Sequence, residues 1–124
     1  MKKDRRGFTL AELLLVVGVL AVLVAIVIPL FGTPLERSRE ATDIANIRSA
    51  YYEVVNYYVV EGAVTTIEVP VRQRYEGWAT DPPPQLVYAG SRGGPYSYEA
   101  KTSGCYFVTV DVDPETGGLI PNVS

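Results

Sequence analysis

The 124-residue chain contains no histidine, one cysteine, one methionine and one tryptophan. Without histidine it lacks the one side chain that titrates near neutrality unaided. It also lacks a glycine loop of the phosphate-binding kind and a nucleophile motif. These absences argue against an enzyme and against a bound cofactor. The single cysteine, Cys105, excludes an intramolecular disulfide. Packing must then hold the fold, and Cys105 is expected to be a small buried hydrophobe. Charge is missing from a whole segment: between Glu12 and Glu36 lie 23 residues, Leu13 to Leu35, with no charged side chain.

Sixteen of those residues are Leu, Ile, Val or Phe. As a helix rising ~1.5 Å per residue the run is roughly 34 Å long, enough to cross a hydrocarbon core of ~30 Å. Its apolar residues favour insertion by at most roughly 5 to 10 kcal/mol, whereas one carboxylate costs about 3 at the bilayer centre and less near its edge. Glu12 therefore does not prevent insertion. The flank Lys2, Lys3, Asp4, Arg5, Arg6 nets +3, which keeps the N-terminus cytoplasmic and sends everything after Leu35 outward. From Phe8 onward 7 Lys and Arg stand against 13 Asp and Glu, a net of −6. An acidic outer part is not a general nucleic-acid surface.

A purpose for Glu12 has to be found in "RRGFTLAELL", Arg5 to Leu14. A secretory signal has a shorter apolar stretch ending in small residues, and the exit here, "IPLFGTPLERSRE", has no such site. An uncleaved single-span anchor that carries a ligand-binding ectodomain explains charge and hydrophobicity equally well, but leaves "GFTLAE" unexplained. The stretch resembles the class III signal of type IV pilins and pseudopilins, over roughly Lys2 to Pro29. The resemblance implies a leader, residues 1–7, that a prepilin peptidase removes by cutting between Gly7 and Phe8. It implies methylation of the new amine on Phe8 by the same enzyme. Glu12 matches the family's assembly glutamate, and Pro29 its helix-distorting proline.

Each position has a physical reason. A peptidase must approach the main chain closely, and glycine has no Cβ to obstruct it. Cleavage leaves a positive amine at Phe8, which costs several kcal/mol if buried unpaired among apolar helices. Glu12 can supply its partner, on the same chain or the next. Thr9-Leu10-Ala11-Glu12 also fits a capping box, which needs no second chain, and the two roles can coexist. Pro29, Gly32 and Pro34 should bend or locally unwind residues 25–35. The bland version is a kink in a membrane helix; the functional one is a segment that melts and extends when filaments form.

Beyond Leu35, Ile44, Ile47, Tyr51, Val55 and Tyr58 recur at three and four residue spacing. Arg37, Arg39, Glu40, Asp43, Asn46, Glu53 and Asn56 fill much of the remaining surface. This is an amphipathic helix that continues the span and stops at Gly62. The pattern then changes to strands. Thr65, Ile67, Val69 and Val71 alternate with polar residues or proline, and Pro70 indicates an edge strand or a loop lying on a sheet. Residues 86–88 and 96–100 are short candidates, and "GWATDPPPQ" and "AGSRGGP" are loops. Cys105 to Val112 is the clearest strand, with Tyr106, Val108, Val110 and Val112 on one face. Leu119 to Val123 can pair back after "DPETGG". The expected class is α+β: a long N-terminal helix, membrane-spanning in its first half, packed on a three to four stranded antiparallel sheet. The pilin resemblance implies the same architecture, with residues 8–35 as transmembrane and assembly helix and 36–124 as headgroup. Many members staple the C-terminal region with a disulfide, which this chain cannot do.

Asp111, Asp113 and Glu115 are weak candidates for calcium ligands; ordinary turn roles explain "DVDPETGG" as well, and no metal is expected. The nine tyrosines are read as packing between helix and sheet rather than a path for electrons. On the resemblance the chain is a structural subunit stored in the cytoplasmic membrane, then polymerised with copies of itself by the pilus assembly platform into a cell-surface filament. A pseudopilin of a type II secretion system, or a minor pilin, would use the same chemistry.

Overall fold

The computed structural model describes residues 7–88 and 94–124. The leader apart from Gly7, and the loop Ala89 to Pro95 apart from its last two residues, lie outside the described residues. The elements run in the order α1 (Leu10–Leu30), α2 (Gly32–Glu61), β1 (Ile67–Pro70), β2 (Gln85–Leu86), β3 (Tyr96–Ser97), β4 (Cys105–Val112) and β5 (Leu119–Val123). The chain divides into two compact units, one ending at Pro34 and one from Leu35 to Ser124.

In the first unit α1 takes in the apolar run as far as Leu30, and none of its residues is buried. Pro29 lies inside its last turn, where the missing N–H removes one intrahelical bond. The helix ends one residue later. Phe31 caps it, its N–H donating to the Ile28 carbonyl at 3.4 Å, a three-residue spacing tighter than α. Gly32 then opens α2, which places Pro34 in the first turn of that helix, where a residue without an N–H loses no bond. At the far end the Gly62 N–H donates to the Tyr58 carbonyl at 2.8 Å. Gly62 has φ +70°, the left-handed conformation that closes a helix and that glycine adopts without strain.

The second unit has a three-stranded antiparallel sheet in the order β1-β4-β5, and β2 pairs with β3 as a separate two-stranded ribbon. The expected strands are present, with the candidate at 86–88 shifted to residues 85–86 and the one at 96–100 cut to residues 96–97. Tyr106, Val108 and Val110 point inward and are buried, while Val112 is 40% exposed. β1 pairs only with residues 105 to 108 of β4, so at Val112 the strand has β5 alone beside it. The alternation that buries Tyr106 turns Cys105 to the other face, where it is half-buried; the expectation of a buried cysteine is corrected on this point.

Both edges of the sheet carry a proline. Phe107 and Ser124 exchange two backbone bonds, at 2.9 and 3.1 Å. Alternation of bonded and non-bonded pairs then puts the Val110 and Pro121 pair in a non-bonded position. On the other side the Val71 N–H donates inward to Gly104 at 3.0 Å, so Pro70 faces away from β4. Neither proline costs the sheet a hydrogen bond, and each leaves a gap in an edge where another strand would need a donor.

Ile47, Ala50, Tyr51 and Val54 of α2 pack with Val69, Leu86, Tyr98, Tyr106, Val108 and Val110 into one core. Ile44, Val55 and Tyr58, expected in the apolar stripe, are only half-buried. The helix's buried row instead begins with acids: Glu36, Glu40 and Asp43 precede Ile47. Glu40 and Asp43 had been expected on the outer surface, and the reason for the difference is a loop.

Residues 71–80 form no strand, so their amide hydrogens must find partners elsewhere. The carboxylates of α2 provide them. Asp43 accepts the N–H of Arg72 on both oxygens, at 3.1 and 3.0 Å, and that of Gln73 at 2.9 Å. Glu36 accepts from Arg74 at 2.6 Å and Tyr75 at 3.1 Å, and its second oxygen pairs with Arg39 at 3.3 Å. Glu40 accepts from Ala79 and Thr80, both at 2.9 Å, and from the Thr80 hydroxyl at 2.5 Å. Within the loop the Gln73 amide donates to the carbonyls of Tyr75 and Gly77. The Trp78 indole donates to the Tyr98 carbonyl at 3.0 Å and meets the Tyr98 ring edge-on.

These bonds act on the titration of the two glutamates. Hydrogen bonding, first from the Arg74 amide, holds Glu36 below the ordinary value of 4.5 despite its burial. For Glu40 burial is the largest single influence and opposes ionisation; the bonds from Thr80 and Ala79 together outweigh it, and its pKa is also lowered.

Two outcomes follow for the detergent-solubilised chain, with Trp78, its only tryptophan, as the fluorescent reporter of unfolding. Asp43→Ala strands two amide donors and should destabilise the second unit by on the order of 3 kcal/mol, whereas Glu68→Ala on an exposed position should change it by less than about 0.5. Both glutamates bind protons less readily folded than unfolded, so their contribution is complete above 4.5 and is lost as pH falls through the lowered values. Stability should decline on acidification below pH 4.5, and a Glu36→Gln, Glu40→Gln double variant should flatten that decline. A rise on acidification in the wild-type chain would contradict the clamp.

Candidate functional site

Helix α1 begins with a complete capping box. Thr9 has φ −74° and ψ 154°, an extended geometry that turns its side chain back over the first turn. Its hydroxyl accepts the Glu12 N–H at 3.2 Å, and the Glu12 carboxylate accepts the Thr9 N–H at 2.9 Å. The Leu13 N–H donates to the Thr9 carbonyl at 3.1 Å, the first full helical bond. Glu12 is exposed and sits in the first turn, where the helix dipole favours a negative charge.

Phe8, the residue before the cap, is 90% exposed. Gly7 precedes it, exposed as well, and a Cβ built there would meet nothing within 4 Å. Among the described residues nothing crowds this position. Beyond the cap the helix runs 21 residues with a mean hydropathy of 3.3 in its most apolar window and no buried part. By length and composition it is able to cross a membrane, and within the described structure nothing covers it.

Residues 2–28 match the family model described as the prokaryotic N-terminal methylation motif. This segment is the signature of type IV pilins and pseudopilins. No curated protein and no solved structure matches the chain. The methylation motif supports a pilin-like or pseudopilin precursor. It implies processing by a prepilin peptidase and later assembly into a filament, and with the apolar helix it supports membrane anchoring. It points to a structural protein rather than an enzyme. The match ends at residue 28, inside α1, and leaves the second unit to its own structure.

The structure brings Phe8 and Glu12 into one helical start and puts Pro29, Gly32 and Pro34 around the junction of α1 and α2. The C-terminal acids are occupied by turn chemistry. Asp113 accepts the Glu115 N–H at 2.9 Å and the Thr116 hydroxyl at 2.6 Å, and the Thr116 bond is the main reason its pKa is lowered. Asp111 accepts from the Asn122 amide at 3.0 Å. Among the described residues no group of three metal-ligating side chains converges. Tyr51, Tyr98 and Tyr106 are core residues. Burial raises all three, Tyr98 to about 12, which keeps them protonated.

The carboxylates that organise the second unit were missed because acids on a helix read as a solvated face. Their spacing held the signal: Glu36, Glu40, Asp43 and Ile47 stand four, three and four residues apart, the same period as the apolar row they extend.

Proposed function

We propose that this chain is a prepilin, the structural subunit of a type IV pilus-like filament. The precursor rests in the cytoplasmic membrane with its N-terminus inside and α1 spanning. A prepilin peptidase cuts between Gly7 and Phe8 and methylates the Phe8 amine; the assembly platform then packs α1 against copies of itself in a filament that displays the second unit at the cell surface. The observation that carries this reading is the methylation motif over residues 2–28, placed at the start of a 21-residue apolar helix with no internal partner. The glycine at position 7 supports it: with no Cβ it leaves the main chain open to a second molecule that must come close, and no described residue crowds it.

Glu12 serves twice. In the precursor its carboxylate closes the capping box. In the filament it balances the Phe8 amine, of its own chain or of a neighbour, where an unpaired charge would be costly. The junction from Pro29 to Pro34, where α1 ends and α2 begins, is the stretch proposed to extend on assembly.

Intact mass of surface material should equal a chain beginning at Phe8 plus one methyl group; a mass retaining residues 1–7 would return the uncleaved anchor. If the assembly is short and retained in the envelope rather than a long surface filament, the pseudopilin reading replaces the pilus one. Filament yield at equal precursor level tests Glu12. The capping box makes Thr9→Ala the matched control, since it opens the same cap for about 1 kcal/mol. Glu12→Ala loses the cap and strands the amine, for roughly 3 to 5 kcal/mol, or at least two orders of magnitude per contact. Equal defects in the two variants would leave Glu12 as a cap only.

A further inference from the structure

We propose that the loop 72–80 is a foot that seats on anionic phospholipid headgroups where the chain leaves the membrane; this rests on the membrane-stored precursor reading. The carboxylate bonds fix the course of the loop along α2. It is held at Asp43 by Arg72 and Gln73, at Glu36 by Arg74 and Tyr75, and at Glu40 by Ala79 and Thr80. The loop therefore travels from Asp43 back toward the start of α2, turns over Tyr75, Glu76 and Gly77, and returns to Glu40. Gly77, at φ +79°, supplies the left-handed residue of that turn. The tip lies at the Glu36 end of the second unit. Glu36 is six residues beyond Leu30, the end of α1, and six residues reach about 20 Å even fully extended.

The tip has the chemistry of a membrane interface. Gln73 is buried, and alternation turns Arg72 and Arg74 outward, where both are exposed. Tyr75 is 70% exposed and adds nothing to the core. Tyrosine prefers the headgroup layer, and guanidinium matches a phosphate in a two-pronged bond. Arg37 is exposed beside Glu36, while Arg39 is engaged by Glu36 itself. Glu36, Glu40 and Asp43 lie buried behind the loop, held by its amides, and Glu36 has Arg39 as its counter-ion; the exposed charges of the loop and the helix start are Arg37, Arg72 and Arg74 against Glu76. That exposed excess favours an anionic surface over a zwitterionic one. Apart from the Thr80 hydroxyl, the clamp uses the main chain of the loop, so the arginine side chains are left for the lipid.

The test uses the full chain carrying Cys105→Ser and a nitroxide on Glu76→Cys, with Tyr75 retained, in phosphatidylglycerol-containing vesicles. The reference is a nitroxide on Glu61→Cys at the other end of α2. Insertion is measured separately, by flotation after an alkaline wash. In the inserted chain the label at 76 should be shielded from an aqueous nickel complex and the label at 61 should not. Arg72→Gln with Arg74→Gln keeps both clamped amides and should shift the seated-to-lifted ratio by about 30-fold; pure phosphatidylcholine should lift the foot in the wild-type chain. Equal exposure at 76 and 61 in an inserted chain would overturn the foot alone. So would shielding indifferent to lipid charge and to the arginines. A chain that does not insert would overturn the precursor reading and the foot with it.

Discussion

Main-chain amides in a loop without a strand partner must be satisfied, and in the second unit three side chains of one helix do it. Asp43, Glu36 and Glu40 each accept two neighbouring amides, from residues 72 and 73, 74 and 75, and 79 and 80. A carboxylate in a protein interior loses hydration worth several kcal/mol, and only multiple hydrogen bonds to the charged form offset that loss. The arrangement is mutual: the loop keeps Glu36 and Glu40 ionised, and all three acids keep the loop in place. Everything the loop positions depends on it, from the Gln73 amide inside the turn to the Trp78 ring against Tyr98. A chain with one cysteine has no covalent staple for this region, and the three carboxylates act in its stead.

The same functional group has a different task in each unit. At Glu12 a carboxylate sits exposed at the start of an apolar helix and closes a cap. At Glu36, Glu40 and Asp43 it is buried and holds backbone. The sheet shows the complementary restraint. Pro70 and Pro121 stand at the two edges with their missing donors turned outward, so neither edge offers an unbroken row to an added strand. On the proposed reading, a subunit that packs closely with copies of itself is thereby discouraged from joining through its sheet, and association is left to helices and loops.

The N-terminal segment was legible because its information is local: a charge step, a glycine, a cap and a hydrocarbon run are each read from neighbouring residues. The strand Cys105 to Val112 and its return at Leu119 were legible for the same reason, since alternation and a turn of Asp, Pro and Gly are short-range signals. The course of residues 71–80 was not. Its partners lie 29 to 40 positions away, and nothing in "VRQRYEGWAT" announces that its amides seek acids on a helix. Glu40 and Asp43 were accordingly placed on the wrong face. The separation of β2 and β3 from the main sheet was hidden too, because a strand two residues long carries almost no pattern of its own.

On the proposed reading, α1 exchanges one apolar environment for another when it passes from bilayer to filament. Lipid tails are as apolar as leucine, so burying the sixteen Leu, Ile, Val and Phe side chains of the uncharged run against other helices gains little hydrophobic free energy over burying them in lipid. Helix packing and polar contacts must then decide between the two states. The polar groups at the membrane edge of α1 are the Phe8 amine, Thr9 and Glu12, and before cleavage the amine does not exist. Cutting after Gly7 thus leaves the apolar run untouched, removes the leader with its net side-chain charge of +3, and puts one amine at the start of the helix. A charge is costly inside a bundle unless Glu12 meets it, and cheap at a wet interface, so the cleavage makes the assembled state conditional on register. A helix that would slide freely against its copies on hydrophobicity alone acquires one position at which it is held.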